Sequence, residues 1–248
     1  VSKRGVILAG GKGSRLGPYT TVLPKPLLPV GDRAILDVVV RQLASYDFTD
    51  LTFAVGYLAH LIRAVFADGS QHGVTIDYHE EAVPLGTAGA LATVERLDDT
   101  FLAMNGDVLT AIDYADLWHV HRDSGNILTI ASHRRRVSTD YGVIHTNGDA
   151  GKTQRVAGYE EKPELPFTVS MGVYVAEPRL LEYIPADRAL DVPNLVLELL
   201  EAGEQVGSYL YEGYWLDIGR HDDYERAIAE YEELKHLLMR APDEVAQP

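Results

Sequence analysis

The sequence predicts an α/β fold, a mixed and mostly parallel sheet with helices on both faces and a small antiparallel lobe in its second half. Three observations predict it. Short, near-continuous apolar runs (Gly5–Ala9, Leu51–Val55, Phe101–Met104) alternate with stretches of helical apolar spacing, the pattern of parallel strands buried on both faces. The 248 residues are 46% hydrophobic, enough for one substantial core. Beyond residue 140, two strand-like runs flank Asn147-Gly148, a hairpin turn signal, so antiparallel structure is added there.

The first run, Gly5–Ala9, leads straight into Gly10-Gly11-Lys12-Gly13-Ser14-Arg15. Glycines allow tight turns and bring backbone N–H groups close to a ligand, and successive N–H groups form an anion-binding nest. Downstream, Pro24-Lys25-Pro26 holds another cation between two fixed φ angles. Together these segments make a cradle for a triphosphate. A P-loop would need glycine where Val6 stands and serine or threonine where Gly13 stands. A dinucleotide fingerprint starting at Gly11 would need glycine at Leu16. Neither fits.

Charge narrows the class. The net charge of −15 argues against a nucleic-acid partner. Yet Lys3, Arg4, Lys12, Arg15 and Lys25 all precede the first acidic residue, Asp32, so the cradle end is positive and an anionic substrate is expected. No run of about 18 apolar residues spans a membrane. The start, Val1-Ser-Lys-Arg, lacks an apolar signal segment. The absence of cysteine excludes disulfides and thiolate metal sites and suits the cytoplasm.

The remaining elements follow in order. Helix Ala34–Tyr46, strand Leu51–Val55, helix Leu58–Ala67 and strand Val74–His79 alternate, and ligands on such sheets gather at the strands' carboxyl ends. The loop from Glu80 to Ala90 has glycines that let a flat base approach the backbone, and Thr87 is expected to cap a helix running to Arg96. The strand from Phe101 ends in Asn105-Gly106-Asp107, a carboxylate at the sheet edge suited to a divalent cation, whereas Asp113 suits the N-cap of helix Asp113–Arg122. Strand Ile127–Ser132 precedes the basic run Arg134-Arg135-Arg136, which reads as a solvated face or an interface. Strands Tyr141–His145 and Val156–Glu161 form a hairpin. Glu160-Glu161-Lys162-Pro163 reads by itself as a solvated surface sequence, although carboxylates beside an ammonium can also bind a sugar's hydroxyls and its phosphate. Helices Glu177–Ile184 and Pro193–Ala202, strand Val206–Leu210, the segment Tyr214–Gly219 and a charged helix Asp222–Leu238 complete the chain, with 239–248 a loose tail.

These motifs together resemble the sugar-phosphate nucleotidyltransferase (NDP-sugar pyrophosphorylase) family, over Val6 to about Tyr224. Its G-G-x-G-[ST]-R-L and P-K-P stand here as Gly10–Leu16 and Pro24–Pro26, followed by the family's Y-G, E-K-P, G-x-Y and W-x-D-[IV]-G elements. The resemblance implies a Rossmann-like sheet in one nucleotidyltransferase domain over 1–238. About 1–110 would bind the nucleotide, about 111–220 the sugar phosphate, and 222–238 is the terminal helix. Leu8, Gly10, Gly11, Gly13, Ser14, Glu81, Pro84, Gly86 and Thr87 are implied for the nucleotide. Gly142, Glu161, Lys162, Gly172, Tyr174 and Trp215 are implied for the sugar phosphate. Asp107 and Asp217 are the implied Mg²⁺ ligands, with Arg15, Lys25, Asp107 and Lys162 as the catalytic set. The family assigns the triple arginine no role, and often carries asparagine where Ser170 stands.

The implied reaction joins an NTP to a sugar-1-phosphate, giving an NDP-sugar and pyrophosphate. A carboxylate at Glu81 suits guanine, whose 2-amino group is a donor. The spelling Leu85-Gly-Thr-Ala-Gly-Ala90 is closest to mannose-1-phosphate guanylyltransferases, so GTP with a mannose-like, heptose or cyclitol phosphate is expected. The alternatives are uridylyl, thymidylyl or cytidylyl transfer to a glucose-like 1-phosphate, and a non-catalytic relative that senses NDP-sugar. Family members often form homo-oligomers, but the sequence shows no interface stripe.

Overall fold

The structure, a computed structural model, describes residues 2–81, 83–148, 151–185 and 188–239. The tail expected after Met239 and the turn beyond Gly148 lie outside the described residues. The chain begins with β1 (Arg4–Ala9). A strap of three short 3₁₀ turns follows, then the short strands β2 (Pro29–Val30) and β3 (Arg33–Ala34). Next come α1 (Ile35–Ser45), β4 (Asp50–Val55), α2 (Ala59–Phe66), β5 (Thr75–Glu80), α3 (Gly86–Ala92), β6 (Phe101–Asn105), β7 (Val108–Thr110) and α4 (Tyr114–Ser124). The second half holds β8 (Leu128–Ser138), β9 (Gly142–Asn147), β10 (Arg155–Glu161), β11 (Glu164–Ala176), α5 (Val192–Glu201), β12 (Val206–Leu210), β13 (Trp215–Asp217) and α6 (His221–Leu238).

One seven-stranded sheet has the order β12-β8-β11-β6-β1-β4-β5. Its pairings are parallel except the two made by β11, which runs antiparallel to both β6 and β8. The expected mixed, mostly parallel sheet is therefore what forms. Apolar side chains alternate across it and build a core on each face. Ile7, Phe53, Met104 and Val173 bury on the side of α1, α2 and α4, while Val6, Phe101 and Ala103 bury on the side of α3 and α5. Full burial of each such valine, isoleucine, phenylalanine or methionine side chain contributes about 1.5–3 kcal/mol. A third cluster joins α6, through Tyr224, Ala227 and Tyr231, to Leu16, Leu28, Leu216 and Ile218. The terminal helix thus holds the strap after β1 and β13 together.

Several elements depart from the sequence pattern for identifiable reasons. Helix α3 stops at Ala92, short of Arg96, which takes a left-handed φ of 61° with its guanidinium paired to Asp77. The expected helix at Glu177–Ile184 is a 3₁₀ helix, Pro178–Tyr183. Strand β8 runs six residues past Ser132 because β11 pairs with it as far as Ser138↔Glu164, a long-range partner that local sequence does not show. This two-stranded ribbon carries Arg134, Arg135 and Arg136, with the β9–β10 hairpin between its strands. At about 3.4 Å per residue the ribbon from Ser132↔Ser170 to Ser138↔Glu164 is about 20 Å long.

A candidate nucleotide site at the carboxyl edge

A cavity of about 280 Å³ opens where β1, β4 and β6 end. Leu8, Gly10, Gly11, Glu81, Pro84, Gly86 and Thr87 line it, together with Asp107. The structure thus brings most of the sequence-selected nucleotide residues to one place, from segments about 75 residues apart in the chain. Ala54, Ala90, Asn105 and Asp191 also line it and were not foreseen. Leu8, Ala54, Pro84 and Ala90 are its apolar surfaces, suited to a flat ring, while the remaining residues are glycine, hydroxyl, amide or acid.

The glycines divide the labour differently from the sequence reading. A Cβ on Gly11 would meet nothing within 4 Å, so its space is open cavity. Gly13 turns the loop at φ 59°, and a Cβ there would lie 3.0 Å from Lys25 Cβ, so this glycine lets the strap close under the loop. Gly86, at φ 78°, would place a Cβ 2.6 Å from the Leu190 carbonyl oxygen. Its conformation serves packing against the second half of the chain as well as access to the cavity.

Thr87, the second residue of α3, does not cap that helix. Its hydroxyl accepts the Val192 N–H at 2.9 Å, capping α5, while its own N–H donates to Asp191 Oδ1 at 3.0 Å. Glu81 commits Oε2 to the Leu85 N–H at 2.9 Å, fixing the loop's turn. Its Oε1 faces the Gly10 side, 3.8 Å from where a Cβ on Gly10 would stand. One carboxylate oxygen therefore holds the loop and the other is left for a donor.

Charge collects at the far end of the cavity. Lys25 is buried on its proline-flanked 3₁₀ turn, and its ammonium bonds Asp107 Oδ2. Asp107 sits in the Gly106-Asp107 turn between β6 and β7, and its Oδ1 is buried with no hydrogen-bond partner among the described residues. Antiparallel pairing of β13 with β7 sets Asp217 opposite Val108, next to Asp107. The Asp217 carboxyl opens to solvent on one side, yet enclosing protein, and secondarily the Asp107 charge, push its pKa up, against the pull of Lys25 and Arg15. The Arg15 guanidinium lies 3.8 Å from where a Cβ on Gly219 would stand, two residues beyond Asp217. An orphaned oxygen on one carboxylate beside a second, destabilised carboxylate is a donor set that fits a divalent cation. Among the described residues no group of three or more acidic or histidine side chains could enclose a metal, so such an ion would complete its shell with phosphate and water oxygens.

The residues implied for a sugar phosphate are less gathered. Gly142 and Glu161 pair directly across the β9–β10 hairpin, and Glu161 accepts the Tyr159 hydroxyl at 2.9 Å. Lys162 follows at the hairpin's end, exposed and in a left-handed conformation with φ 49°. None of these three lines the cavity. Tyr174 is buried in the sheet, and Ser170 donates to its hydroxyl at 3.3 Å and accepts the Gly172 N–H, tying the bulge in β11. Gly172 packs against the Asn105 side chain, where a Cβ would approach Nδ2 to 2.6 Å. Trp215 donates from Nε1 to the Met171 carbonyl at 3.1 Å, and the Arg135 guanidinium lies 5.7 Å from its ring centre. Arg135 is therefore more than a solvated cation, whereas Arg134 and Arg136 pair with Glu212 and Glu164 on the surface. Asp113 caps α4 as expected, accepting the Ala115 and Asp116 N–H groups.

Comparison with known proteins gives this geometry a context. The profile of the nucleotidyl transferase family matches residues 4–234. A UTP–glucose-1-phosphate uridylyltransferase of Synechocystis sp. is 31% identical over 245 residues, covering 91% of this chain and 62% of the relative. A mannose-1-phosphate guanylyltransferase of Mycobacterium tuberculosis is 33% identical over 231 residues, covering 91% of this chain and 63% of the relative. The chain thus spans a little under two thirds of the length of these curated relatives. Among solved structures, a candidate glucose-1-phosphate thymidylyltransferase from Bacillus anthracis, complexed with sucrose, superposes with a TM-score of 0.73 at 26% identity, covering 92% of this chain and 94% of that one.

Proposed function

The chain belongs to the nucleotidyl transferase family, and on that footing we propose that it joins an NTP to a sugar-1-phosphate, giving an NDP-sugar and pyrophosphate. The observation that carries the reading is the meeting of Lys25, Asp107 and Asp217 at one end of a cavity whose other residues include Gly10, Gly11 and Glu81. A phosphate oxygen of the sugar-1-phosphate attacks the α-phosphorus in line. The new P–O bond forms as the bond to the β-phosphate oxygen breaks, and its electron pair leaves with pyrophosphate. The attacking oxygen is already an anion, so no protein base is needed, and catalysis rests on positioning and charge neutralisation.

Each residue has a part. The loop from Gly10 to Ser14 and Arg15 receives the triphosphate, and Lys25 neutralises charge developing toward the leaving group. Asp107 and Asp217 would hold Mg²⁺, which when bound neutralises phosphate oxygens. Lys162, with Glu161 and Gly142 on the hairpin, receives the sugar phosphate, and its left-handed backbone is a strained conformation of the kind kept at functional positions. Tyr174, Gly172 and Trp215 shape the wall behind the sugar. A cytoplasmic setting, where NTPs are supplied, accords with this chemistry.

The base is assigned from Glu81. Its uncommitted Oε1 is an acceptor suited to the N–H groups of guanine and unsuited to the acceptor-rich edge of uracil, so GTP with a mannose-like, heptose or cyclitol phosphate is the preferred pair. The 31% identity to a uridylyltransferase favours UTP with a glucose phosphate as the second reading. Pyrophosphate release is to be measured with Mg²⁺ across GTP, UTP, dTTP, CTP and ATP and a panel of sugar-1-phosphates. Turnover led by GTP is the expected result. Turnover led by another NTP would keep the reaction and discard the role of Glu81, and silence across the panel with tight NDP-sugar binding would point to a sensor.

A further inference from the structure

We infer that Asp191, contributed by the second half of the chain, is a positioning residue for the nucleotide. The inference rests on the nucleotidyltransferase reading, and no motif or comparison assigns Asp191 a part. Asp191 is the N-cap residue of α5, but its side chain makes no capping bond to that helix. Instead its Oδ1 accepts from the Thr87 N–H at 3.0 Å and from the Thr87 hydroxyl at 3.3 Å, 104 residues away. The Thr87 hydroxyl in turn caps α5 through the Val192 N–H. The two helices have exchanged caps.

Backbone bonds extend the exchange. Leu190 donates its N–H to the Leu85 carbonyl at 2.8 Å, and its own carbonyl accepts both Ala88 and Gly89 N–H groups at 2.9 Å. The Thr87, Ala88 and Gly89 N–H groups at the start of α3 are consequently satisfied by Asp191 and Leu190 and are not offered to a phosphate. What the clamp does is fix the loop from Pro84 to Thr87, one wall of the cavity, against a helix that leads through β12 to β13 and Asp217. Asp191 also lines the cavity, and its Oδ2 has no partner among the described residues. Removing the carboxylate loosens the wall that holds the nucleotide while leaving Lys25, Asp107 and Lys162 untouched. An amide at this position retains an acceptor for Thr87.

The experiment compares Asp191→Ala and Asp191→Asn with the parent chain in two measurements. Amide hydrogen exchange on the ligand-free protein is expected to rise about tenfold at Thr87–Gly89 in Asp191→Ala, as a charge-assisted bond and its neighbours are lost. It is expected to stay near the parent in Asp191→Asn. In kinetics, Asp191→Ala raises the NTP KM by about tenfold with the sugar-phosphate KM and kcat within about threefold, and Asp191→Asn recovers most of the loss. Unchanged exchange in Asp191→Ala overturns the inference, as does an equal rise in both KM values or a failure of Asp191→Asn to recover. If Asp191→Ala does not fold, Asp191→Ser, with a hydroxyl too short to span both Thr87 bonds, is judged by the same criteria. A parent chain that binds no NTP would sink the nucleotidyltransferase reading, and the exchange measurement would still decide the clamp.

Discussion

Lys25 and Asp107, 82 residues apart in the chain, form an ion pair in which the ammonium takes one carboxylate oxygen and the other oxygen is buried without a partner among the described residues. A buried acceptor left open costs stability, and on the proposed function this is the oxygen that Mg²⁺ would satisfy. Asp107→Asn keeps the shape and removes the charge. Turnover is expected to fall by roughly 10³-fold, the scale of losing a preorganised electrostatic partner. Lys162→Ala is expected to lose a similar factor. Steady-state pyrophosphate release checks both, and near-parental rates in either would remove that residue from the site.

Asp217 carries the opposite signature. Its carboxyl is pushed up by its surroundings and by Asp107 beside it, so the ionised form is held at a cost in the ligand-free protein. Asp217→Asn removes that cost. The variant is expected to melt higher than the parent at neutral pH without metal, and to turn over far more slowly. Melting curves with and without Mg²⁺ and NTP check this, and a lower melting temperature for the variant would show that Asp217 is structurally stabilising instead.

Gly11 and Gly86 line the same cavity but separate function from folding. Gly11→Ala adds a methyl in open space, so the melting temperature is expected to hold while the NTP KM rises. Gly86→Ala forces a left-handed Cβ against the Leu190 carbonyl, a cost of about 2 kcal/mol or more in folding. Denaturant unfolding and KM measured side by side distinguish the two. Equal destabilisation would mean that the Gly11 space is part of the packed fold.

The contrast shows how far local sequence reaches. The strand at Arg4–Ala9, helix α1, the hairpin and the N-cap at Asp113 were legible because apolar period, turn residues and capping chemistry are local. The gathering of Gly10, Glu81 and Asp107 followed from their places at strand ends. Strand β11 was not legible, since residues 164–170 are almost all exposed and form a strand only because β8 supplies the partner. Asp191 was hidden for a related reason. Asp191-Val192-Pro193 reads as an ordinary helix start, and nothing local indicates that its carboxylate reaches Thr87. Arg135 likewise meets Trp215 only through the turn of the chain after β12.

His121 gives the pH dependence of folding. It is fully buried, with Nδ1 2.8 Å from Thr129 Oγ1 and Nε2 3.2 Å from Glu177 Oε1, and burial lowers its pKa below the ordinary 6.5 despite the glutamate. A depressed histidine leaves the unfolded chain binding the proton first. Stability is therefore whole above about pH 6.5 and falls as pH drops through that value toward the folded pKa. His121→Gln is expected to flatten the decline in melting temperature between pH 7 and pH 5, whatever its effect at pH 7. Parallel slopes for parent and variant would place the acid sensitivity elsewhere.

Glu81 tests the base. Glu81→Gln preserves an oxygen for the Leu85 N–H, so the loop keeps its turn, but it replaces a charged acceptor with a neutral amide whose NH₂ is a donor. A site built around a carboxylate discriminates by the cost of leaving its free oxygen unpaired, about 1–3 kcal/mol for a buried acceptor. The ratio of kcat/KM for GTP over UTP is expected to fall by about tenfold or more in the variant, mostly through loss on GTP. The melting temperature serves as the control, because a loop that had lost its turn would depress both nucleotides together. If the ratio holds, Glu81 Oε2 is a loop fastener, Oε1 reads nothing, and the base is chosen by the backbone around Pro84 and Gly86.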